Sequence, residues 1–284
     1  MKKVLDDMIK AIENFEEIDQ VSTPLAKIIG KVTHPRLIKN ALSGTWLGHQ
    51  FHPMATDLPI GAWLSAGVID LLGSQTPNPT TRKLVGIGIL AAIPAAASGA
   101  SDWSDTVGPD QRVGYVHALA NSTALSLQIL SYLKRRHGKQ KSAVVLSTAA
   151  LAAVGVAGYL GGHLTLRRGM GVDHSVFQNR TEEWTKVTTS SELKNDKPLE
   201  VNVGETPVVL ISHNDLIYAL SSTCVHAGGP LAEGEVKGDR IVCPWHGSQF
   251  RISNGQVVRG PASVSQPCWE VRVVDKHIEV RAKL

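Results

Sequence analysis

The sequence holds little cysteine: three residues in 284, Cys224, Cys243 and Cys268. So low and odd a count cannot build a disulfide framework, and it fits a reducing compartment or metal ligation better than secretion. Aromatics make up only 5%, and the net charge of +4 is small and spread along the chain. With no basic stripe interleaved with aromatics, nucleic acid is not expected as a partner. The N-terminal stretch MKKVLDDMIKAIENFEEIDQ has no continuous apolar run followed by a small-residue cleavage site, so no signal peptide is expected there. Charge itself is scarce from about Pro53 to Leu164 and frequent on both sides. The average composition of an ordinary soluble protein therefore describes neither region.

What fills the uncharged region is four apolar segments in close order: His52 to Gly73, Leu84 to Ala100, Val113 to Leu133 and Ala143 to Leu164. Their lengths approach the roughly 20 residues needed to cross about 30 Å of hydrocarbon as a helix. Asp57, Asp70 and several Ser/Thr dilute them, as in the buried bundle of a soluble protein. The short linkers and the small-xxx-small pattern from Gly158 to Gly162 favour membrane helices in close contact. The expectation is a four-helix transmembrane bundle over residues 51–166. Within it, Gly86-Ile-Gly88-Ile-Leu-Ala91 copies part of a dinucleotide fingerprint, but no strand precedes it and no ribose-binding acid follows, so it carries no function.

Residues 1–50 are polar. Leu5, Met8, Ile9, Ile12, Phe15 and Ile18 recur at steps that predict an amphipathic helix, with Pro24 and Pro35 interrupting any continuation. Such a helix could lie on a membrane or pack on another domain. At the other end, residues 167–183 read as a Gly-rich, charged linker. From Trp184 onward, β-branched runs such as PVVLIS, LIYALS and WEVRVV alternate with turn signals, which predicts a small all-β domain over 184–284. The whole is a multidomain α + β chain.

The β domain carries the chemistry. Cys224-Val-His226 is followed, after sixteen intervening residues, by Cys243-Pro-Trp-His246. Two Cys and two His could hold tetrahedral zinc, yet Cys-x-His is not the usual spacing of a zinc hook. The full pattern, with Gly247-Ser248 after it and Gly260-Pro261-Ala262 further on, resembles the Rieske iron–sulfur family. That resemblance implies a [2Fe–2S] cluster, with Cys224 and Cys243 on one iron and His226 and His246 on the other. Two ferric ions, two sulfides and two thiolates sum to zero, whereas four thiolates would leave −2; imidazole ligation therefore raises the potential. Gly228-Gly229-Pro230 and Gly247 permit tight turns whose amides can point at sulfur. The resemblance further implies that Ser248 donates to a sulfide and that the Gly260-Pro261 loop covers the cluster. High-potential respiratory members bridge the two loops by a disulfide. Gly229 and Trp245 stand at those positions here, and Phe250 replaces a hydrogen-bonding tyrosine, so a low potential is expected. Cys268 matches no ligand position and reads as a packed strand cysteine.

In the helical part, His52-Pro53 and Leu58-Pro59-Ile60-Gly61 resemble an uncharacterised bacterial membrane-domain family that can be joined to Rieske domains. Alternating topology puts His52, His117, His163 and Asp102 toward one side of the membrane. Two readings stand for the histidines: interfacial helix-end residues, or a haem, quinone, metal or proton site that exchanges electrons with the cluster. Arg82, Lys83, Lys134, Arg135, Arg136, Lys139 and Lys141 lie toward the opposite side, which the positive-inside rule would make cytoplasmic. Lys31, Arg36, Lys39, Arg167 and Arg168 flank the histidine side, and with no export signal and no bridging disulfide the expectation is a cytoplasmic Rieske domain on a multi-pass bacterial-type cytoplasmic membrane protein. Single-electron transfer between redox protein partners is the expected role, as a component of an oxidoreductase system rather than a stand-alone enzyme. A cluster-based redox or iron sensor coupled to the membrane domain is the alternative, and a zinc-stabilised binding module the third reading. Only 38 residues follow His246, so no mononuclear-iron oxygenase domain is expected. Membrane lipid is the other expected partner; donor, acceptor and oligomeric state do not follow from the sequence.

Overall fold

The computed structural model describes residues 2–73 and 76–283. They form two compact units: Met1–His34 with Phe51–Gly169, and Pro35–Gln50 with Met170–Leu284.

The first unit is helical. Two N-terminal helices, α1 (Lys2–Asn14) and α2 (Asp19–Thr33), precede four long ones: α4 (Phe51–Leu72), α5 (Pro79–Trp103), α6 (Gly108–Arg136) and α7 (Gln140–Gly162); the short helix α3 (Arg36–Ser43) belongs to the second unit. Ile9 of α1 is buried as the amphipathic pattern requires, while Phe15 lies beyond the helix and is exposed. Pro24, expected to interrupt, sits inside α2. The single backbone bond it forfeits is to Gln20, on the exposed first turn, where water can substitute. The break falls at Pro35 instead. α5 starts where Asn78 Oδ1 caps Thr80 N at 2.9 Å with Pro79 in the first position.

The four long helices bury many small residues and leave many large apolar ones exposed. Ala66, Val85, Ala124, Ala150 and Ala157 are buried, while Leu64, Leu90, Ile93 and Val145 are exposed. This inversion of the soluble pattern suits helices packed closely among hydrocarbon. Three helices among the described residues, Phe51–Leu72, Pro79–Trp103 and Gln140–Arg167, are long and apolar enough to cross a membrane. α6 falls short of the expected fourth because polar residues, chiefly His117, Asn121 and Gln128, lower its hydropathy. Arg135, counted above among the flanking basic residues, is instead buried against Asp70.

In the second unit every strand pair is antiparallel. A six-stranded sheet has the order β1-β10-β9-β4-β3-β2, built from β1 (Thr185–Thr189), β2 (Leu199–Val203), β3 (Thr206–His213), β4 (Leu216–Ser221), β9 (Cys268–Val274) and β10 (His277–Ala282). A four-stranded sheet runs β5 (Glu235–Lys237), β6 (Arg240–Val242), β7 (Gln249–Arg251), β8 (Val257–Arg259). Asn214-Asp215 and Asp275-Lys276, all at positive φ, close the β3–β4 and β9–β10 hairpins as type I′ turns demand. β3 is buried on both faces: Val208 and Leu210 pack with Trp269, Ile278 and Val280, whereas Val209 and Ile211 join Leu220, Leu231, Ile241 and Phe250. The second of these cores carries the candidate site. Residues after Met170 are not a loose linker but lie along this unit: Thr206 Oγ1 donates to Asn179 O at 2.5 Å and Ala282 N to Thr181 O at 2.7 Å.

Candidate metal centre

Two loops carry the four sequence-predicted residues. One leaves β4 and holds Cys224 and His226; the other joins β6 to β7 and holds Cys243 and His246. The loops are closed by the same pair of bonds. Cys224 N donates to Gly229 O and Gly228 N to Cys224 O, both at 2.8 Å. Likewise Cys243 N donates to Ser248 O at 2.8 Å and Gly247 N to Cys243 O at 3.0 Å. Each turn needs a glycine four residues after its cysteine, since Gly228 and Gly247 have φ of 77° and 69°.

This closure turns amides onto sulfur at equal offsets. His226 and Ala227 N–H face the Cys224 sulfur, and Trp245 and His246 N–H face that of Cys243. Both cysteines are buried, at 1% and 2% exposure, and their thiols bond to each other. Amide donors favour the thiolate, but two buried thiolates side by side repel. The pair therefore titrates as a unit: sharing the proton brings Cys243 down to about 7 while Cys224 is held well above its usual value. Only a cationic group would let both ionise. The imidazoles lie outward of the sulfurs, with ring centroids 5.0 Å apart and planes at 83°. Burial, reinforced by His246, Lys39 and His174, pushes His226 down to about 3, so it is a neutral nitrogen donor at physiological pH. Two thiols inside and two imidazoles outside suit a group with a soft end and a borderline end. Among the described residues no three His, Cys, Asp or Glu are placed to hold one metal ion.

The surroundings hold groups that sequence reasoning passed over. Gln266, buried, accepts from Val225 N at 3.1 Å and donates to Ser221 O and Thr223 O at 2.7 and 2.6 Å, bracing the first loop. His174 N donates to Val225 O at 3.1 Å and brings a further imidazole beside Gly228. From α3, Asn40 accepts from Gly260 N at 2.9 Å and donates to Val258 O at 3.1 Å. None of these stood out because an isolated Gln, His or Asn has no periodic or spacing signal. Ser248 is buried, and its Oγ accepts from Ala262 N at 3.0 Å, leaving the hydroxyl proton to donate elsewhere. Gly229 and Trp245 do face each other across the loops: a Cβ on Gly229 would lie 3.1 Å from the indole and from Cys243 Sγ. Replacing Gln266 with leucine strands the Val225 amide and two carbonyls. We expect the β domain to lose about 1–3 kcal/mol in denaturant melts, with its colour bleaching before the main transition.

Of the histidines in the helical unit, the structure brings His52 and His117 together, with centroids 6.4 Å apart. His163 turns away to Glu13, at 3.5 Å from Oε1, within a π-helical turn, His163–Arg167. Cys268 is half-buried and donates to Gln266 O, far from the role of a ligand; burial raises its thiol.

Paired cysteine and histidine loops on a small antiparallel β fold define an iron–sulfur electron-transfer module. Residues 183–270 match the Rieske [2Fe-2S] domain, and residues 48–174 match a predicted membrane protein domain, DUF2231. Ferredoxin CarAc of Metapseudomonas resinovorans is 34% identical over 98 residues, which is 34% of this chain and 92% of that ferredoxin. The chain belongs to the Rieske [2Fe-2S] family through this domain, which binds a [2Fe–2S] cluster. Human apoptosis-inducing factor 3 is 35% identical over 91 residues; the match takes in 32% of this chain and only 15% of that protein. A solved complex of reduced oxygenase and oxidised ferredoxin in carbazole 1,9a-dioxygenase has a chain matched at 33% identity, over 37% of this chain and 99% of that one, with a TM-score of 0.35.

Proposed function

We propose that this chain is a membrane-anchored Rieske electron carrier, in which Cys224 and Cys243 ligate one iron and His226 and His246 the other. The observation that carries this reading is the matched closure of the two loops, which aims two amides at each cysteine sulfur. Such donors stabilise negative charge on sulfur and so set where an added electron is tolerated. The half-exposed His226 and His246 edges, with Trp245 exposed beside them, form the expected docking and exit point for redox protein partners. Likeness to a ferredoxin supports one-electron traffic toward an oxidoreductase component. With no loop disulfide and Phe250 in place of a hydroxyl donor, the proposed potential is low for the family.

We further propose that α6 spans the membrane beside α4, α5 and α7, giving a four-span anchor over 51–166 joined in sequence to a Rieske domain over 184–284. Its 29 residues would extend about 44 Å. Its polar face suits contact with protein rather than lipid. The Rieske domain is proposed to lie on the cytoplasmic side; a C-terminal reporter that folds only in the cytoplasm should be active, and activity of a periplasm-only reporter would reverse the orientation.

The test of function is electron paramagnetic resonance and turnover on the purified full chain. The reduced protein should give a rhombic signal of low average g, and it should pass electrons from an added flavin reductase to an added one-electron acceptor. A cluster that reduces but never turns over would favour the sensor reading, and a colourless zinc protein would overturn both.

A further inference from the structure

The His52–His117 pair repeats one device in two hairpins. α4 packs on α5, and α6 on α7. In the first hairpin, His52 Nδ1 bonds to Ala95 O at 2.9 Å, and Gly99, one turn on, makes a niche for the ring. In the second, His117 Nδ1 bonds to Ala157 O at 2.8 Å, and Gly161, again one turn on, does the same. A Cβ would come within 2.6 Å of His52 Cε1 at Gly99, or 3.1 Å of His117 Cε1 at Gly161. Carbonyls only accept, so each Nδ1 carries the proton and each neutral ring offers its lone pair at Nε2. At His117 that lone pair takes a bond from exposed Asn121 Nδ2 at 3.0 Å, which a stronger acceptor of the pair would displace.

An imidazole fixed by Nδ1–H to a carbonyl is oriented as metal-binding histidines are. With each nitrogen about 2.0–2.1 Å from a shared metal and about 1.1 Å from its own ring centre, trans imidazoles place their centres about 6.3 Å apart, against about 5.1 Å for a tetrahedral angle. The observed separation is 6.4 Å. No third His, Cys, Asp or Glu among the described residues completes the set. A bare zinc, iron or copper(II) ion would thus lack most of its donors. A haem supplies four nitrogens of its own and asks for two trans axial ligands. Both rings remain reachable by solvent although Ala95 and Ala157 behind them are closed off. All three cysteines lie in the β domain, so no thioether attachment is available in the helices.

We propose that His52 and His117 are the axial ligands of a non-covalently bound haem seated between the α4–α5 and α6–α7 hairpins. His163, paired with Glu13, takes no part. This site stands independently of the Rieske centre.

The test is the full chain purified in mild detergent from cells supplied with a haem precursor. About one low-spin haem per chain is expected, quantified as the pyridine adduct. His52→Ala and His117→Ala should each cut haem content at least about tenfold, while His163→Ala keeps it. Because alanine variants could misfold, His117→Gly with imidazole in the buffer should recover the six-coordinate spectrum, and monodisperse elution with an unchanged helical circular-dichroism signal reports a folded helical unit. A monodisperse chain without haem, haem that survives the loss of both histidines, or stoichiometric copper in its place overturns the proposal. Haem without a cluster signal would uphold this site while removing the Rieske carrier reading.

Discussion

Replacing Cys243 with serine is expected to strip the β domain of its iron, from about two atoms per chain to almost none. Cys243 is 2% exposed, bonded to Cys224, and receives the amides of Trp245 and His246 on its sulfur. A serine hydroxyl is a harder donor with little tendency to ionise, so it cannot replace a thiolate on iron. It would also leave Cys224 buried without its partner sulfur, against core residues Val225, Ile241 and Phe250. Since these sulfurs and imidazoles tie the two loops together, the loss of the metal group should also lower the thermal midpoint of the domain, in the way that metal binding is coupled to folding elsewhere. Cys268→Ser is the control. That thiol reaches Gln266 O through a weak 3.7 Å contact, and a hydroxyl can make the same bond. Colorimetric iron and the reduced-state resonance signal are the readouts: full iron in the Cys243 variant would remove Cys243 from the ligand set, and loss of iron in the Cys268 variant would show a ligand role there.

How far the sequence foretells the structure differs between the two ends of the chain. HIEVRA was legible because every second residue is buried, and PVVLIS because its continuous apolar run is buried on both faces. β1, β5 and β7 were not: β5 and β7 have three residues each, as in Gln249–Arg251, too few to show a period, and the five of β1 hold a single apolar residue, Val187. β7 hides inside the motif itself, where Phe250 drew attention for a missing hydroxyl rather than as a buried core residue. The four loop residues were legible because ligand chemistry fixes type and spacing together. Gln266 and Asn40 were not, since their role arises only when strands and α3 bring them to the loops. Among the helices, apolar length was plain, but a charge near a helix end looks alike whether it faces water or a partner. Arg135 was counted as a solvated cation for that reason, and Asp70 as a dilution of the first span.

The Asp70–Arg135 pair carries the second large effect. The carboxylate and guanidinium meet in a bidentate contact with side-chain exposures of 3% and 1%. Arg135 also donates to Thr81 Oγ1 at 2.6 Å and to Ser147 Oγ at 3.3 Å, while Gln140 Nε2 reaches Asp70 Oδ1 at 3.1 Å. Ser147 continues to Ser131 at 2.8 Å and to Gln128 Oε1 at 3.1 Å. One polar cluster thus draws on α4, α5, α6 and α7 at the end of the bundle where α4 and α6 finish and α5 and α7 begin. Removing either charge leaves the other buried and uncompensated, so Asp70→Ala and Arg135→Ala are each expected to cost about 3–5 kcal/mol. Replacing both by leucine should recover most of that loss, because the desolvation penalty of two ions goes with them. Reversible unfolding in mixed micelles measures the cycle. Single variants as stable as the wild type would mean that the pair is hydrated in the membrane, and a double variant as unstable as the singles would assign the role to the serine and glutamine network instead of the charges. The cluster lies among the last residues of α4 and α6, whereas His52 opens α4 and His117 precedes the middle of α6. The double leucine variant should therefore keep the 6.4 Å histidine pair while losing the polar tie, which separates what holds the helices from what they hold.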